Sequence, residues 1–521
     1  MKATVKTVLV GVVVVTWVLF AVQMTMGASD DELRLVQETW AHGVPIPHLE
    51  VSQGLDWLKL LYDPLFGIAP EGALSPEHGL ATKWEMSRDG LTWTVQLRKW
   101  VKFHDGVEVT AKYAKFSIEL AMSPESVSSL SNDLRKTIKQ MEVKDPYTLV
   151  IQCRKPSMFF PSILSELETT VSLIVPKDYY ERVGKDQFMK KPIGSGPYKW
   201  HSQVVGSSIK LEATARHWRD GVPRFKYVNF LVIPEESTRI AMLKTGQADI
   251  ARVGREGMKE ILDAGLRIIS KKDASTIVFM CAMQWATPAF GDIRFRKALN
   301  LAIDKAGIIK NIFAGRATQI AQFPSPNIFV CGGDPTLKPY PYDPQEARRL
   351  IKEGGWEGYE MLLPSFSRSG VPEFSNVVET VAGYWQKIGL KPKIFMTEYV
   401  SYRESWRAKK IQNHVIGTEL FTNPECGSLL SRTEEKYGSH EARTLLNNPK
   451  MDDWYKRANS TLDMAEVVKI VGEIYRYSYD QYLMIPICNV NDEIAITKKV
   501  PEWNPGRRRQ DRNYNDIIRQ R

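Results

Sequence analysis

An α/β fold built in more than one lobe is what this chain predicts, on three observations. Ile277 to Met283 is a continuous apolar run, IVFMCAM, of the length of a strand buried on both faces. After a loop containing Trp285, Pro288 and Gly291, Asp292 stands at a helix N-cap position, and Phe295, Leu299, Ala302, Ala306, Ile309 and Phe313 then fall on one face. Arg294, Arg296, Lys297 and Lys310 fall elsewhere. Gly307 interrupts the pattern, so Asp304 is a second cap position and Gly315 a terminator. From Tyr359 onward a strand, an amphipathic helix with Phe374, Val378, Val381, Trp385 and Ile388 on one side, and a strand at Pro392 to Met396 follow one another, the alternation of a mostly parallel α/β lobe. The apolar strand at Ile277 carries the chain from one lobe into another. A second one, Leu483 to Val490, returns it, and its Asn489, with Asn491 and Glu493 beyond it, is polar enough to face the cleft between them.

Length and composition bound the class. Lys2 and Lys6 precede the apolar run Val8 to Val22, and Gly27, Ala28 and Ser29 stand before two aspartates, the layout of a secretory signal peptide over residues 1–28. Left uncleaved, Val8 to Met26 would nearly span a bilayer as an anchor. Cleavage of 28 of the 521 residues leaves 493, room for about three units of roughly 100–200 residues each. Hydrophobic residues at 43% and charged residues at 25% exclude disordered and fibrous classes. Setting the two leader lysines aside takes the net charge from +10 to +8, and the only basic run, Arg507 to Arg509, lies in a polar tail, so nucleic acid is not an expected partner. Five cysteines, Cys153, Cys281, Cys331, Cys426 and Cys488, are too scattered for a disulfide scaffold or a CxxC metal site. Cys331 and Cys426 sit in turn-like contexts that would allow a bridge; Cys281 and Cys488 sit in apolar strands.

Along the chain, Leu33 to Val36 reads as a strand, followed by a Gly- and Pro-rich loop carrying Trp40 and His42, and by a helix with Leu55, Leu58, Leu61 and Leu65. Thr92 to Leu97 alternates as a half-buried strand, Asp105-Gly106 is a turn, and Thr110 caps a helix. In YDPQEARRLIKEGGW, Asp343 is the N-cap, Pro344 the first helical residue, Glu346 the partner in a capping box, and Gly354 the terminator.

Four stretches carry a resemblance: residues 80–120 with their Trp, Asp-Gly, Leu-Arg, Phe-His-Asp-Gly and Thr-Ala pattern, KPIGSGPYKW at 191–200, AMLKTGQADIA at 241–251, and FRKALNLAIDKAGIIKNIFAG at 295–315. Together they resemble the extracellular solute-binding proteins of family 5, the peptide, nickel and oligosaccharide receptors of ABC importers. Lys112 and Ser195 replace an acid and a threonine of that pattern. The resemblance implies a two-lobed periplasmic binding protein of type II, cluster C, with an extra subdomain in the first lobe. The implied boundaries are 29–62, 191–273 and 485–521 for the first lobe, 63–190 for the subdomain and 274–484 for the second lobe. It implies a periplasmic monomer without cofactor that closes on a small solute and delivers it to membrane permease subunits.

Trp40, Trp285, Trp406, Glu419, Phe421 and Asn489 are the expected ligand contacts, since aromatic walls bury much area with few torsions. Peptide-binding members hold the ligand's amino terminus with an acid in an Asp-x-x-acid-Pro segment. Here TELFTNP, 418–424, has Leu420 and Asn423 at those places and Glu419 one position away. The solute is therefore peptide-like through a shifted Glu419, or oligosaccharide-like with Glu419 an ordinary exposed acid. No catalytic motif is assembled: HEAR at 440–443 lacks the second zinc ligand, the Gly-rich turn lacks the lysine of a phosphate loop, and there is no GxSxG elbow. A nickel-chelate receptor and a secreted hydrolase are the alternative readings.

Overall fold

The computed structural model describes residues 31–38, 42–51, 54–70, 72–128, 130–165, 170–281, 288–323, 333–366, 371, 373–398, 401–402, 405–406, 408, 410, 415–417, 426–439, 447–505, 514 and 518. Its backbone is a sheet in which Glu32–Gln37 lies between two parallel neighbours, Tyr227–Val232 and Ile250–Arg252. Ser208–Ala213 and Tyr198–Val204 continue it antiparallel on one side; on the other the long strands Met484–Ile496 and Arg267–Cys281 run antiparallel to each other. The first lobe packs Leu33, Leu35, Trp57, Phe230 and Ile250 on one face and Val36, Ile240 and Leu243 on the other. The second lobe has its own core of Phe279, Leu299, Val381, Trp385, Ile474 and Ile487. A four-stranded antiparallel sheet, Ala81–Met86, Thr92–Leu97, Thr148–Cys153 and Ile138–Asp145, packs on the helix Ala111–Ala121 as a third unit with a separate core.

Both long strands extend past the segments expected from sequence. Ile277 to Met280 and Ile485 to Val490 are buried in the second-lobe core, while Ile494 and Ile496 belong to the first. The chain therefore returns after Val490 rather than at Leu483, because the polar residues Asn491 to Glu493 separate two apolar stretches of one strand. At that point the ladder is broken: Lys271 pairs with Asp492 and Ser275 with Val490, so three residues on one strand oppose Asn491 alone. Asp273, at the middle, is in the left-handed region with φ 55°, which aspartate tolerates, and donates its N–H to Asn491 Oδ1 at 3.2 Å.

The helices after the crossover form at the expected caps, but the expected apolar face does not carry through the second: Ala306 is exposed and Ile309 half-buried, while Ile308 is buried. Asp292 accepts from Arg294 N–H and caps Ile293–Leu301; Asp304 accepts from Gly307 N–H and caps Lys305–Asn311; Gly315 follows with φ 76°. Arg296 differs from expectation. It is buried and donates to the carbonyls of Phe290, Gly291 and Gln481, 2.8–2.9 Å away, so the guanidinium ties the short helical turn Pro288–Gly291 and the turn at Gln481 to the helix. Asp343 caps Pro344–Glu353, but Glu346 turns to Arg349 while Asp343 N–H is taken by Leu301 C=O, so the capping box is only half made. Thr110 occupies its N-cap position without a side-chain bond, and the helix at Leu55 stops at Leu61, before Pro64. In the second lobe Glu360–Ser365 and Lys391–Met396 pair in parallel, whereas Val415–Gly417 joins the long strands antiparallel. The leader, Cys331 and residues 440–446 lie outside the described residues, as do the side chains of Cys281 and Cys426; Cys153 and Cys488 are buried free thiols.

The Gly194-Ser195-Gly196 turn is shaped by contact with backbone. A Cβ on Gly194 would stand 2.0 Å from Leu61 O, and one on Gly196 2.5 Å from Leu60 O, so only glycine lets the turn close there. His104 clamps it: Gly194 N–H donates to Nδ1 at 3.1 Å and Nε2 donates to Gly196 O at 2.9 Å. Accepting at Nδ1 makes this ring neutral. His217 is held the same way, with Arg219 N–H on Nδ1 at 3.2 Å and Nε2–H on Asp63 at 3.2 Å. Burial pushes both imidazoles below their ordinary range, and it pushes His48 down to about 4 from 6.5. A base with a depressed folded pKa stabilises the fold above its unfolded pKa and withdraws that stability as pH falls toward the folded value. His48 alone should withdraw about 3 kcal/mol between pH 7.5 and pH 4. Chemical denaturation across that range should show the loss, and His48→Gln should flatten it.

Candidate functional site

In an open sheet of parallel strands the ligand crevice lies beyond the strands' carboxyl ends. Here those ends are Gln37, Val232 and Arg252, and one side chain ties them together. Arg239, buried in the helix Glu236–Lys244, donates to Ile233 O at 3.0 Å, to Pro234 O at 2.5 Å and to Arg252 O at 3.2 Å, with Glu38 at 3.8 Å. Gln37 Nε2 donates to Asp56 Oδ2 at 3.3 Å, which sets the first turn of the helix Leu55–Leu61 against the same edge. Arg252 then reaches the broken ladder: its Nε and Nη2 donate to the two oxygens of Asp492 at 2.7 and 3.2 Å. Burial works against the Arg252 charge, but Asp492, with Glu38 and Asp56 further off, holds its pKa above the ordinary value.

Across this edge stands the second lobe. The loop Val253-Gly254-Arg255 leads from the strand end and closes over Glu236, where a Cβ on Gly254 would meet the carboxylate at 2.8 Å. Burial raises the pKa of Glu236, against hydrogen bonding from Gly254 and the charge of Arg239. Arg255 crosses to the other lobe, where Nη1 bonds Glu373 at the start of the helix Phe374–Lys387 and the guanidinium lies 4.7 Å from the Phe313 ring centroid. Arg316, also of the second lobe, forks onto Glu493 at 2.9 and 3.1 Å, and Glu493 accepts from Ser270 as well. A chain of paired charges thus runs from the strand ends, past the broken ladder, into the second lobe.

Of the residues expected to touch ligand, Trp40, Trp285, Glu419 and Phe421 lie outside the described residues. Trp406 is 3% exposed in the second-lobe core, its ring 6.4 Å from that of Tyr402. Asn489 is 0% exposed and accepts from Thr276 Oγ1 at 2.8 Å across the paired strands, beside the broken ladder but beneath the surface. Neither joins the charged chain. Arg239, Arg252, Arg255, Glu373 and Asp492 were not singled out from the sequence. The signal that could have found them is the placement of Arg252 and Arg255 directly after the ADIA strand, since loops at strand ends carry function. A recess of about 720 Å³ lined by Arg216, His217, Arg219, Arg224 and Lys226 opens elsewhere, at the amino ends of the parallel strands, and is the wrong edge for such a crevice. Among the described residues no group of three or more metal-ligating side chains forms, and no helix is long and apolar enough to cross a membrane.

The family model for bacterial extracellular solute-binding proteins, family 5 Middle, matches residues 75–425. The glutathione-binding protein GsiB of Salmonella choleraesuis is 30% identical over 337 residues, 64% of each chain, so the likeness spans just under two thirds of that relative's length. The solved periplasmic binding protein DppA of Helicobacter pylori, in complex with the peptide STSA, superposes with TM-score 0.76 at 21% identity over 94% of this chain and 97% of its own. NikA of Brucella suis, in complex with Fe(III)-EDTA, does so with TM-score 0.80 at 20% identity over 94% and 100%. These two likenesses speak for the two-lobed fold. The chain belongs to the bacterial extracellular solute-binding proteins of family 5.

Proposed function

We propose that this protein is exported by its N-terminal leader and captures a small solute between its lobes, as the receptor that feeds the permease of an ABC importer. The observation that carries this reading is the broken ladder at Asp273 and Asn491, the place where both long strands pass between the lobe cores, set beside the charged strand-end crevice. Torsions at such a break absorb a rotation while each lobe stays packed. A solute touching both lobes then favours the closed form by its differential affinity for it. The role is binding rather than catalysis, and the solute is peptide-like or oligosaccharide-like. Relatives whose names specify glutathione, a peptide or a metal chelate support a small polar solute.

Denaturing the protein purified from its own periplasm and identifying the released molecule by mass spectrometry tests this. Adding that molecule back at a hundred times its Kd should stabilise the fold by about 2.7 kcal/mol, and all of it should be recovered intact. Conversion of the solute by the pure protein contradicts the reading.

A further inference from the structure

The strands Ser208–Ala213 and Tyr227–Val232 are antiparallel neighbours, with Glu212 opposite Tyr227, yet thirteen residues, Thr214 to Lys226, connect them. A hairpin of this kind needs only about two to five residues, and a much longer ordered loop usually carries a function. This one is held in place. Ala213 N–H donates to Lys226 O at 2.9 Å across its base, Thr214 bonds Pro197 O through N–H and Oγ1 at 3.0 and 2.9 Å, and His217 is pinned to the buried Asp63. The loop walls the recess of about 720 Å³ with Arg216, Arg219, Arg224 and Lys226, against which the lining sets only Asp31 and Asp220. Cations on the strands beside it are matched by acids: Lys199 lies 3.3 Å from Glu212, and Lys210 3.1 Å from Glu32. Arg216, Arg224 and Lys226 are exposed and have no hydrogen-bonded or ion-paired carboxylate among the described residues.

We propose that this recess is a second binding site, apart from the crevice, and that it takes a phosphate monoester. Cations set on one fixed loop outnumber the acids around them, so a ligand with more than one negative charge completes the site. A phosphate monoester carries about 1.5–2 negative charges at pH 7 and three oxygens that planar guanidinium forks match. A single carboxylate brings one charge and two oxygens. The lining also includes Val222 and Pro223, both half-buried, and these give the organic part of an ester an apolar wall that bare phosphate would leave to water. Two sources share this chemistry, a soluble ester and a lipid headgroup. The recess lies at the amino ends of the parallel strands, the opposite edge from the crevice, so the site stands whether or not the crevice holds a solute.

The test uses the full mature chain in phosphate-free buffer. Calorimetry measures phenyl phosphate, inorganic phosphate and phenylacetate, and co-sedimentation measures phosphatidylcholine vesicles with and without phosphatidic acid. Phenyl phosphate should bind with a Kd below roughly 0.1 mM, and inorganic phosphate and phenylacetate at least about tenfold more weakly, if the source is a soluble ester. Sedimentation only with the vesicles that contain phosphatidic acid assigns the site to a lipid headgroup. Arg216→Gln combined with Arg224→Gln should weaken whichever binding is seen by about tenfold or more and leave the melting temperature unchanged, since both side chains are exposed. Lys352→Gln combined with Lys456→Gln, which removes the same charge from exposed positions on two helices of the second lobe, should bind as the wild type does. Binding of neither phenyl phosphate nor phosphatidic acid overturns the proposal. So does equal binding of phenylacetate or inorganic phosphate, equal sedimentation with both vesicles, wild-type binding by the arginine double variant, or an equal loss in the lysine double variant.

Discussion

Asp492→Leu should destabilise the protein by about 3–5 kcal/mol, the expected result of removing one member of a buried ion pair. Arg252 would remain at the strand end with its Nε and Nη2 stripped of the two oxygens that now lie 2.7 and 3.2 Å away. The loss comes mainly from the stranded charge, not from the attraction given up, and this makes a sharp secondary expectation. Arg252→Met combined with Asp492→Leu should recover most of the stability, because a packed apolar pair of similar volume is often no worse than a buried ion pair. Urea denaturation of the two single variants and the double variant measures this as a coupling energy. If Asp492→Leu costs under about 1 kcal/mol, the pair is solvated and the hinge end of the crevice is open to water.

Lys305→Met should do the reverse and stabilise the fold, by about 4–5 kcal/mol at pH 6. Lys305 is the first residue of the helix Lys305–Asn311 in the second lobe, an end where the helix dipole disfavours a cation. It is 2% exposed, and its ammonium has no hydrogen-bond partner among the described residues. The Tyr340 ring, its centroid 5.0 Å away, offers a cation–π contact in compensation. Tyr340 is itself stacked between Tyr479 and Tyr482, at 4.6 and 4.7 Å. Burial pulls the amine down to about 7 from 10.5. The unfolded chain therefore binds the proton more tightly than the folded one, so stability should rise as pH climbs from about 7 toward 10.5. The gain from Lys305→Met should accordingly be largest at pH 6 and nearly vanish by about pH 10.5. Urea denaturation of both proteins at the two pH values measures it. A gain that is the same at both would mean that methionine simply packs better and that Lys305 is not carrying a buried charge.

The contrast between Lys305 and Arg296 shows where sequence reasoning stops. Both sit on helices whose caps, Asp304 and Asp292, were legible because a short acid before an apolar repeat has one local job. Their burial was not legible. Helical periodicity sorts residues by face, and a cation off the apolar face is read as solvated, yet Arg296 is enclosed by three carbonyls, two from the preceding helical turn Pro288–Gly291 and one from the turn at Gln481. The crossover strands were legible as apolar runs, but their ends were not. Asn491 to Glu493 look like a strand end, and only the pairing of Asp492 with Lys271 and of Glu493 with Ser270 shows that the ladder continues into the first lobe.

The crevice was harder still. Aromatic residues draw notice in a sequence, whereas Arg239, Arg252 and Arg255 look like ordinary surface charge until the sheet brings three strand ends together. The Gly-Ser-Gly turn was recognisable by its pattern, but its reason, the backbone of Leu60 and Leu61 passing within 2.5 Å of any added Cβ, belongs to tertiary structure. The pattern that points to Glu419 is one this chain departs from at Leu420 and Asn423, and residues 418–425 lie outside the described residues.

Small-angle scattering on the stripped protein, with and without the solute released from it, tests hinge closure most directly. A receptor that closes on its solute should show a smaller radius of gyration on binding, with both lobes keeping their internal structure and Asp273 and Asn491 as the pivot. A solute that raises the melting temperature yet leaves the radius of gyration of the stripped protein unchanged would contradict hinge closure.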